Sequence, residues 1–384
     1  KLKGRPLVGA IGSIGVRRDE KAVAALVKLL KDPDADVAQA SARAIGTIGG
    51  EAAVKGLEGA LAGASPASQL ALCEGLLRCA ETFTAKGQSD KAVAVYDSLR
   101  TLKGLPHQVR TAAWRGAIIA RQKGAVPLLL EALRSEDSAL STAALRIAVE
   151  IRDPGVTKAL AGELGKLPVE RSAQLCNVLG KRGDAAALPA LTGLAKTGEK
   201  TVRIAAIRAV AEIGSAEAAA TFLELLTDQD GEIAQAASAG LAGLPGAAVD
   251  AVVTRTLDSA VPAVQLKMIE MVGQRRIVAA MPSLLTLMDG KDEALRAAAT
   301  KTFGDLSGPG EFPSLLEKLE KSRSPAEIGA MERALGLICG GGSKPEGCVQ
   351  KLADSLSKAG PETKPSVLRI LGVNGGADAL KVVR

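Results

Sequence analysis

Apolar residues recur along this chain at the spacing of an amphipathic helix. In the segment TVRIAAIRAVAEIG, residues 201–214, the apolar positions fall three, four, seven and eight residues after Val202. This is the period of a helix that buries one face. Between such segments lie stretches such as AVPLLLEALRSED and AAATFLELLTDQD, which show a second apolar pattern. The chain is therefore predicted to alternate two kinds of helix, which we call anchor helices and spacer helices.

The anchor helices repeat at a constant distance. Taking the position of Val202 as the anchor, equivalent residues follow every 31 positions, at Val109, Leu140, Arg171, Val202, Ile233, Val264 and Leu295. A further copy has its anchor at Val37, and a looser copy has its anchor at Ile328. We interpret the 72 residues from Val37 to Val109 as two longer units, so insertions are expected near the N-terminus.

Short turns separate the predicted helices. Acidic turns at 32–34, 136–137, 228–230 and 292–293 precede anchor helices, where a carboxylate caps the helix N-terminus. Gly or Pro closes most anchor helices. One pair of helices cannot bury its apolar face alone, so neighbouring pairs must stack. The sequence predicts an all-α fold, a right-handed α-solenoid of about ten to eleven helical hairpins.

The anchor helices carry a recognisable sequence pattern. Segments such as TVRIAAIRAVAEIG and DVAQASARAIGTIG resemble the bacterial HEAT-like repeats, also called phycobilisome-lyase-like repeats. The resemblance covers nearly all of residues 5–384 and implies scaffolding and partner binding. We predict a single solenoid over residues 1–384. Its parts are N-terminal repeats at 1–65, an extended hairpin at 66–104, regular 31-residue repeats at 105–308 and irregular repeats at 309–384.

Residues 66–104 are too long for one unit. Their sequence is similar to a tetratricopeptide hairpin, with Ala80, Phe83, Ala92 and Tyr96 at the spacing of that family. We interpret this part as one extended helical hairpin that is inserted in the stack.

The composition agrees with a helical core and excludes several kinds of site. Apolar residues make up 47% of the 384 residues and aromatic residues only 2%, which argues against a β-sandwich or barrel. His107 is the single histidine, so zinc sites that need two histidines are excluded. The five cysteines form no CxxC pair, and no metal, cofactor or catalytic group is predicted. No apolar run is long enough to cross a membrane.

Two of the cysteines flank a glycine-rich stretch. Cys339 and Cys348 lie on either side of GGGSKPEG, a predicted flexible loop whose ends can meet, so a disulfide between them is a candidate. We interpret Cys73, Cys79 and Cys176 as small buried apolar residues. The candidate disulfide, a start at Lys1 that looks trimmed, and the resemblance favour a periplasmic or secreted protein, with the cytoplasm as the alternative. The oligomeric state stays open.

Basic side chains recur six residues after the anchors. In the resembling family the anchor helices line the concave side of the solenoid. The sixth residue after the anchor is basic in five units, at Arg43, Arg115, Arg146, Arg208 and Lys301, but reads Asn177, Ala239 and Glu270 in others. With a net charge of +7, such a row permits an anionic partner.

Two interpretations of this row are open. The functional one is a basic face that binds an acidic protein, a polysaccharide or a nucleic acid. In the alternative, Arg146 and Arg208 pair with Glu150 and Glu212, four residues on, and make the face soluble. A second basic set, one residue after the anchor, comprises Arg110, Arg203 and Arg296, and it lies on another side of the helix.

Trp114 belongs to the richest local cluster, beside His107, Arg110 and Arg115. Some HEAT-like proteins are DNA glycosylases with aromatic and acidic residues in a basic groove, which requires a carboxylate facing Trp114. The candidates for that carboxylate are Glu81, Asp97 and Glu150. In the alternative, Trp114 fills the joint between the extended hairpin and the regular repeats.

The sequence as a whole favours a non-catalytic scaffold or recognition module that binds a protein partner over an extended curved surface. The first alternative is a polyanion or nucleic-acid binder that uses the basic face. The second is a HEAT-like enzyme, either a DNA glycosylase or a chromophore lyase.

Overall fold

The computed structural model describes residues 2–151, 153–341 and 345–384, and this part of the chain contains helices and no strand. In chain order the helices are α1 (Gly4–Arg17), α2 (Val23–Leu29), α3 (Ala35–Ile48), α4 (Glu51–Leu61), α5 (Pro66–Ala85), α6 (Ser89–Thr101), α7 (His107–Ala120), α8 (Ala125–Arg134), α9 (Ser138–Glu150), α10 (Pro154–Ala161), α11 (Val169–Arg182), α12 (Leu188–Thr197), α13 (Lys200–Ile213), α14 (Ala219–Leu225), α15 (Gly231–Gly243), α16 (Ala247–Ser259), α17 (Pro262–Arg275), α18 (Met281–Met288), α19 (Glu293–Leu306), α20 (Phe312–Lys321), α21 (Pro325–Gly340), α22 (Cys348–Lys358), α23 (Lys364–Asn374) and α24 (Gly376–Val383). The anchor helices are the odd-numbered ones from α3 to α23, and the spacer helices are the even-numbered ones from α2 to α22.

The 31-residue period is confirmed by where the anchor helices begin. Seven consecutive anchor helices, α7 to α19, start at residues 107, 138, 169, 200, 231, 262 and 293. The anchor is therefore the third residue of each of these helices. Spacer and anchor helices form eleven successive hairpins in the described residues, from α2/α3 to α22/α23, within the predicted number.

Residues 66–104 contain two helices, α5 and α6, that pack against each other as a hairpin and that also take part in the regular stack. Helix α5 begins 31 residues after α3 and packs against both α3 and α7, as an anchor helix does. Helix α6 packs against α7 as its spacer helix. The gap of 72 residues is thus one regular step of 31 and one longer step of 41. Part of the excess lengthens α5 to 20 residues.

The contacts divide the chain into two compact units, Lys1–Ile213 and Gly214–Arg384. In the first unit, anchor helices α3 to α13 pack one against the next, with α1 against α3. In the second unit, α15 to α23 do the same. Each spacer helix packs on the anchor helix that follows it. Within each unit the hairpins stack side by side in two layers, the arrangement of an α-solenoid.

Acidic side chains cap the anchor helices, as predicted. Asp137 Oδ1 accepts hydrogen bonds from the backbone N–H groups of Ala139 and Leu140 at the start of α9. Asp34, Asp230 and Asp292 accept from backbone N–H groups at the starts of their helices. These carboxylates satisfy helix donors that otherwise lack partners.

Small residues allow neighbouring anchor helices to approach closely. At the contact of α3 with α5, a Cβ atom on Gly46 would lie 2.5 Å from the Cα of Gly75. At the contact of α1 with α3, a Cβ atom on Gly15 would lie 2.9 Å from the Cα of Ala44. In the described chain, no helix has both the length and the apolar character needed to cross a bilayer.

Candidate functional site

An open groove of about 670 Å³ lies between α7 and α9 on the solvent-facing side of the anchor helices. The described residues that line it all come from these two helices. The floor is formed by Ala112, Ala139, Ala143 and Ile147. We call this site the α7/α9 groove.

The groove exists because both helices carry small side chains where they face each other. Ala112 is the third residue after its anchor, and Ala143 holds the same position one unit later. In α11 the equivalent position carries the larger Gln174. Around the alanine floor stand polar side chains with hydroxyl groups, such as Thr111 and Thr142. The groove therefore joins an apolar floor to a hydrogen-bonding rim.

Two arginines and one glutamate give the groove its charge. Arg115 Nη2 donates to Glu150 Oε2 at 2.6 Å, and the two side chains are 56% and 44% exposed. Such an exposed ion pair contributes roughly 0 to 1 kcal/mol, so it opens at little cost. A second cavity of about 320 Å³ lies beside the same pair and is lined by Ile118, Ile119 and others. The Arg115–Glu150 pair thus separates two adjoining cavities.

Arg146 stands exposed on the wall of the α7/α9 groove. Within the part of the chain that the structure describes, its guanidinium has no hydrogen bond or ion pair. The expected pair with Glu150 is absent there, because Glu150 binds Arg115 of the neighbouring helix instead. A guanidinium with unused donors is suited to bind a carboxylate.

Residues 31 positions apart lie side by side on neighbouring helices of the first unit. Arg43 Nε lies 3.7 Å from Glu74 Oε2, and Arg78 Nη1 donates to Thr47 Oγ1 at 3.2 Å. The predicted basic row in this unit therefore reads Arg43, Glu74, Arg115, Arg146, Asn177 and Arg208 along successive anchor helices. Arg115 and Arg146 are the two cations of this row on neighbouring helices.

The remaining members of the predicted row are separated. Arg43 is engaged by Glu74, and Glu74 interrupts the row. Arg208 is exposed on α13, beyond Asn177 of α11. Lys301 is exposed in the second unit. The structure thus brings Arg115 and Arg146 together in one groove and does not join the others to it.

The second basic set holds helix ends together. Arg203 Nε donates to the carbonyl of Ala195 at 2.8 Å, at the end of spacer helix α12. Arg296 Nη1 donates to the carbonyls of Gly290 and Lys291 just after α18. Arg110 pairs with the capping Asp137 of α9. These arginines stabilise the stack and do not form a binding face.

Sequence reasoning missed a further pair of structural arginines, Arg182 and Arg275. Each ends an anchor helix at the same position of the repeat and donates to carbonyls 31 and 34 residues earlier. Burial lowers the pKa of the Arg182 guanidinium, and the nearby Asp184 and Asp153 only partly offset this effect. The two arginines hold the same position of the repeat, and this shared position could have identified them from the sequence.

Trp114 lies at the joint between α6 and α7 and is 7% exposed. The guanidinium of Arg100, on α6, lies 5.1 Å from the ring centroid. Asp97 is hydrogen bonded by Arg100 and Arg121. Burial raises the pKa of Asp97, but these two arginines lower it by more. Asp97 is therefore held ionised, which is unsuited to a general acid near a bound base.

The candidate cysteine pair is buried at the junction of α21 and α22. The Sγ atoms of Cys339 and Cys348 lie 2.8 Å apart. Residues 342–344 of the intervening glycine-rich stretch lie outside the described residues, and the disulfide stays a prediction. Burial raises the pKa of Cys73 to about 11 and the pKa values of Cys79 and Cys176 to about 12. In the described chain, no three His, Cys, Asp or Glu side chains are grouped to hold a metal ion.

Comparison with known proteins identifies the repeats. A family model described as HEAT repeats matches residues 7–76 and 168–242. The matched residues begin in α1 and end in α15, so they include anchor and spacer helices of both units. These two segments of the chain are therefore similar to HEAT repeats. No curated protein matches its sequence.

Several solved structures are similar to this chain. Kap121p, a karyopherin solved bound to Ste12p, has a TM-score of 0.50 and 12% identity, and the match covers 92% of this chain and 45% of that chain. An engineered protein has a TM-score of 0.32, 20% identity and coverage of 92% and 99%. Human deoxyhypusine hydroxylase in complex with glycerol has a TM-score of 0.31, 17% identity and coverage of 67% and 98%. The match spans less than half of Kap121p, and at 12% identity this likeness shows the fold alone.

Proposed function

We propose that the chain is a non-catalytic recognition module that binds a protein partner through the solvent-facing side of anchor helices α3 to α13. The observation that supports this proposal most is the α7/α9 groove, which is open and has Arg146 on its wall. The solvent-facing side of stacked helices is a continuous surface, which suits an extended partner. Kap121p, a solenoid with this fold, holds Ste12p in its solved structure.

A polyanion or nucleic acid is less well supported as the partner. Glu74 and Asn177 interrupt the cations along the row, and Glu150 pairs with Arg115. Nucleic acids bind through many phosphate contacts or through stacked aromatic side chains. The α7/α9 groove has two arginines, one glutamate and no Trp, Tyr or Phe.

The enzyme alternatives have less support from the geometry. A glycosylase would need Trp114 to be accessible beside an acid, whereas Trp114 is buried and Asp97 is held ionised by two arginines. The bacterial HEAT-like type, and with it a chromophore lyase, rests on the motif of the anchor helices alone.

Site-specific photocrosslinking tests the proposed face. A photoreactive amino acid replaces Thr142 on α9 or Asn177 on α11, two exposed positions of anchor helices. Matched controls place it at Glu131 on α8 or Lys158 on α10, two exposed positions of spacer helices. After irradiation in a lysate of the source cells, we expect both anchor positions to capture the same protein. The measurement is mass spectrometry of the adducts.

Equal yields from the anchor and spacer positions would contradict the proposed face. Adducts that contain nucleic acid in place of protein would favour the polyanion alternative.

A further inference from the structure

The α7/α9 groove has the form of a site for a segment of chain rather than for a small molecule. Its walls are two neighbouring helices, and among the described residues none from a third element lines it. Small-molecule sites usually surround most of the ligand surface. An occupant of this groove stays exposed on one side and can continue past both ends, as an extended peptide does.

The charges of the groove select the chemistry of that peptide. Arg146 offers guanidinium donors that no described residue uses. Arg115 donates hydrogen bonds to Glu150. Because the pair is about half exposed, an incoming carboxylate can replace Glu150. The sum of these three charges is positive, which favours an acidic segment.

The floor of the groove adds a second requirement. Ala112, Ala139 and Ala143 leave room over an apolar surface, which a small apolar side chain fills with loss of water. On the rim, the exposed Thr142 hydroxyl can bind the peptide backbone, whereas Thr111 Oγ1 donates to the carbonyls of its own helix at His107 and Gln108.

On this basis we propose that the α7/α9 groove binds an extended acidic peptide of a partner protein. A carboxylate of the peptide binds Arg146, and a small apolar side chain beside it sits on the alanine floor. Glu150 acts as an internal competitor, because it occupies Arg115 when the groove is empty. This inference rests on the proposed function and adds the place and the chemistry of recognition.

Fluorescence anisotropy with the full chain tests the assignment. The probe is a fluorescein-labelled eight-residue peptide of alternating Ala and Glu, and its control is the same peptide with Gln in place of Glu. We expect the Glu peptide to bind at least tenfold more tightly than the Gln peptide, since a charge-assisted hydrogen bond is lost in the control. The difference should shrink as the salt concentration rises.

Three variants test the residues of the groove: two are expected to weaken binding of the Glu peptide, and one is expected to strengthen it. Arg146→Gln is expected to weaken Glu-peptide binding about tenfold, because the anchoring cation is removed. Glu150→Gln is expected to strengthen it about threefold, because Arg115 is released. Ala143→Leu is expected to weaken it by filling the floor. Arg17→Gln, at an exposed arginine of α1, is the matched control and should leave binding unchanged.

Equal binding of the two peptides, or unchanged binding in Arg146→Gln with a wild-type circular dichroism melt, would overturn the assignment. It would also be overturned if a labelled DNA oligonucleotide bound more tightly than the Glu peptide and lost affinity in Arg146→Gln. Crosslinking at Asn177, outside the groove, reports on the proposed face separately. Partner capture there without peptide binding would refute the groove assignment and leave the proposed function standing.

Discussion

The arginines of this chain differ in role according to which acceptor a neighbouring helix places within reach. Arg203 meets the free carbonyl of Ala195 at a helix end and becomes part of the stack. Arg146 meets no acceptor in the described residues and stays available to a ligand. Since the carbonyls at a helix C-terminus lack intrahelical partners, arginines near these ends are structural. Arginines in the middle of the solvent-facing side are the candidates for binding.

The contact of Arg134 with Glu163 allows the contribution of one structural arginine contact to stability to be tested. Glu163 is buried, with its side chain 4% exposed, although it carries a charge. It accepts hydrogen bonds from Arg134 at 2.7 and 2.6 Å. The bond from Arg134 lowers the pKa of Glu163, burial raises it in part, and Lys166 lowers it further.

Glu163→Gln is expected to reduce the free energy of unfolding at pH 7 by about 2 kcal/mol, since charge-assisted hydrogen bonds are lost. The pKa of Glu163 is lower in the folded chain than in the unfolded chain. Its contribution is therefore present above the unfolded value near 4.5 and is lost as the pH falls through the folded value. Denaturant unfolding should show the difference between the two proteins shrinking below pH 4.5.

The control for this prediction is Glu131→Gln, an exposed carboxylate on α8 without an ion pair among the described residues. It should leave the free energy of unfolding unchanged both at pH 7 and below pH 4.5. Equal stability of Glu163→Gln and the wild type at pH 7 would show that the Arg134 contact contributes nothing.

At the scale of the element, the spacing of anchor helices depends on residues that have no side chain. Where α3 crosses α5, Gly46 faces Gly75, and a Cβ at Gly46 would be 2.7 Å from the carbonyl oxygen of Gly75. Backbone atoms cannot move away as a flexible side chain can. The two helices must therefore shift if this position carries a larger residue.

Gly46→Ala is expected to destabilise the fold by about 2 kcal/mol, the usual cost of overpacking. Gly59→Ala on α4 is the matched control, because a Cβ there would meet no atom within 4 Å. That substitution should stabilise the fold by about 0.5 to 1 kcal/mol, since alanine favours the helix. Thermal melts of both variants measure the two effects. A stabilising Gly46→Ala would refute the close helix contact.

The α21/α22 junction offers a second test at this scale. Cys339 and Cys348 are both buried with their sulfur atoms in contact. We predict that glutathione disulfide oxidises them: the two thiols lose two hydrogens to form a disulfide, and the oxidant becomes two glutathione thiols. This bond is expected to stabilise the fold by about 2 to 3 kcal/mol.

Peptide mapping after alkylation under denaturing conditions measures the oxidation. The Cys339 and Cys348 peptides should be linked, while Cys73, Cys79 and Cys176 should be alkylated. Cys348→Ser is the control and should show no linked peptide. Alkylation of all five cysteines after oxidant treatment would contradict the prediction.

At the scale of the whole molecule, the repeat explains how much of the fold could be predicted from the sequence. The anchors at Val109, Leu140 and Val202 predicted helices, and in the structure each of these helices begins two residues before its anchor. The spacing was not predicted correctly around residues 66–104, because α5 keeps the 31-residue step while the next step, from α5 to α7, is longer. The similarity of this part to a tetratricopeptide hairpin, at Phe83 and Tyr96, stays a prediction.

The sequence by itself determined the helices, their caps and their stacking, because these follow from the order of apolar and polar residues within a few turns of helix. Only the tertiary structure decided the geometry of the proposed binding site. Whether Glu150 binds Arg146 of its own helix or Arg115 of the next depends on how α7 and α9 pack. The α7/α9 groove likewise exists because Ala112 and Ala143, 31 residues apart in the chain, are neighbours across two helices. Distances between helices are set by packing, which periodicity alone does not give.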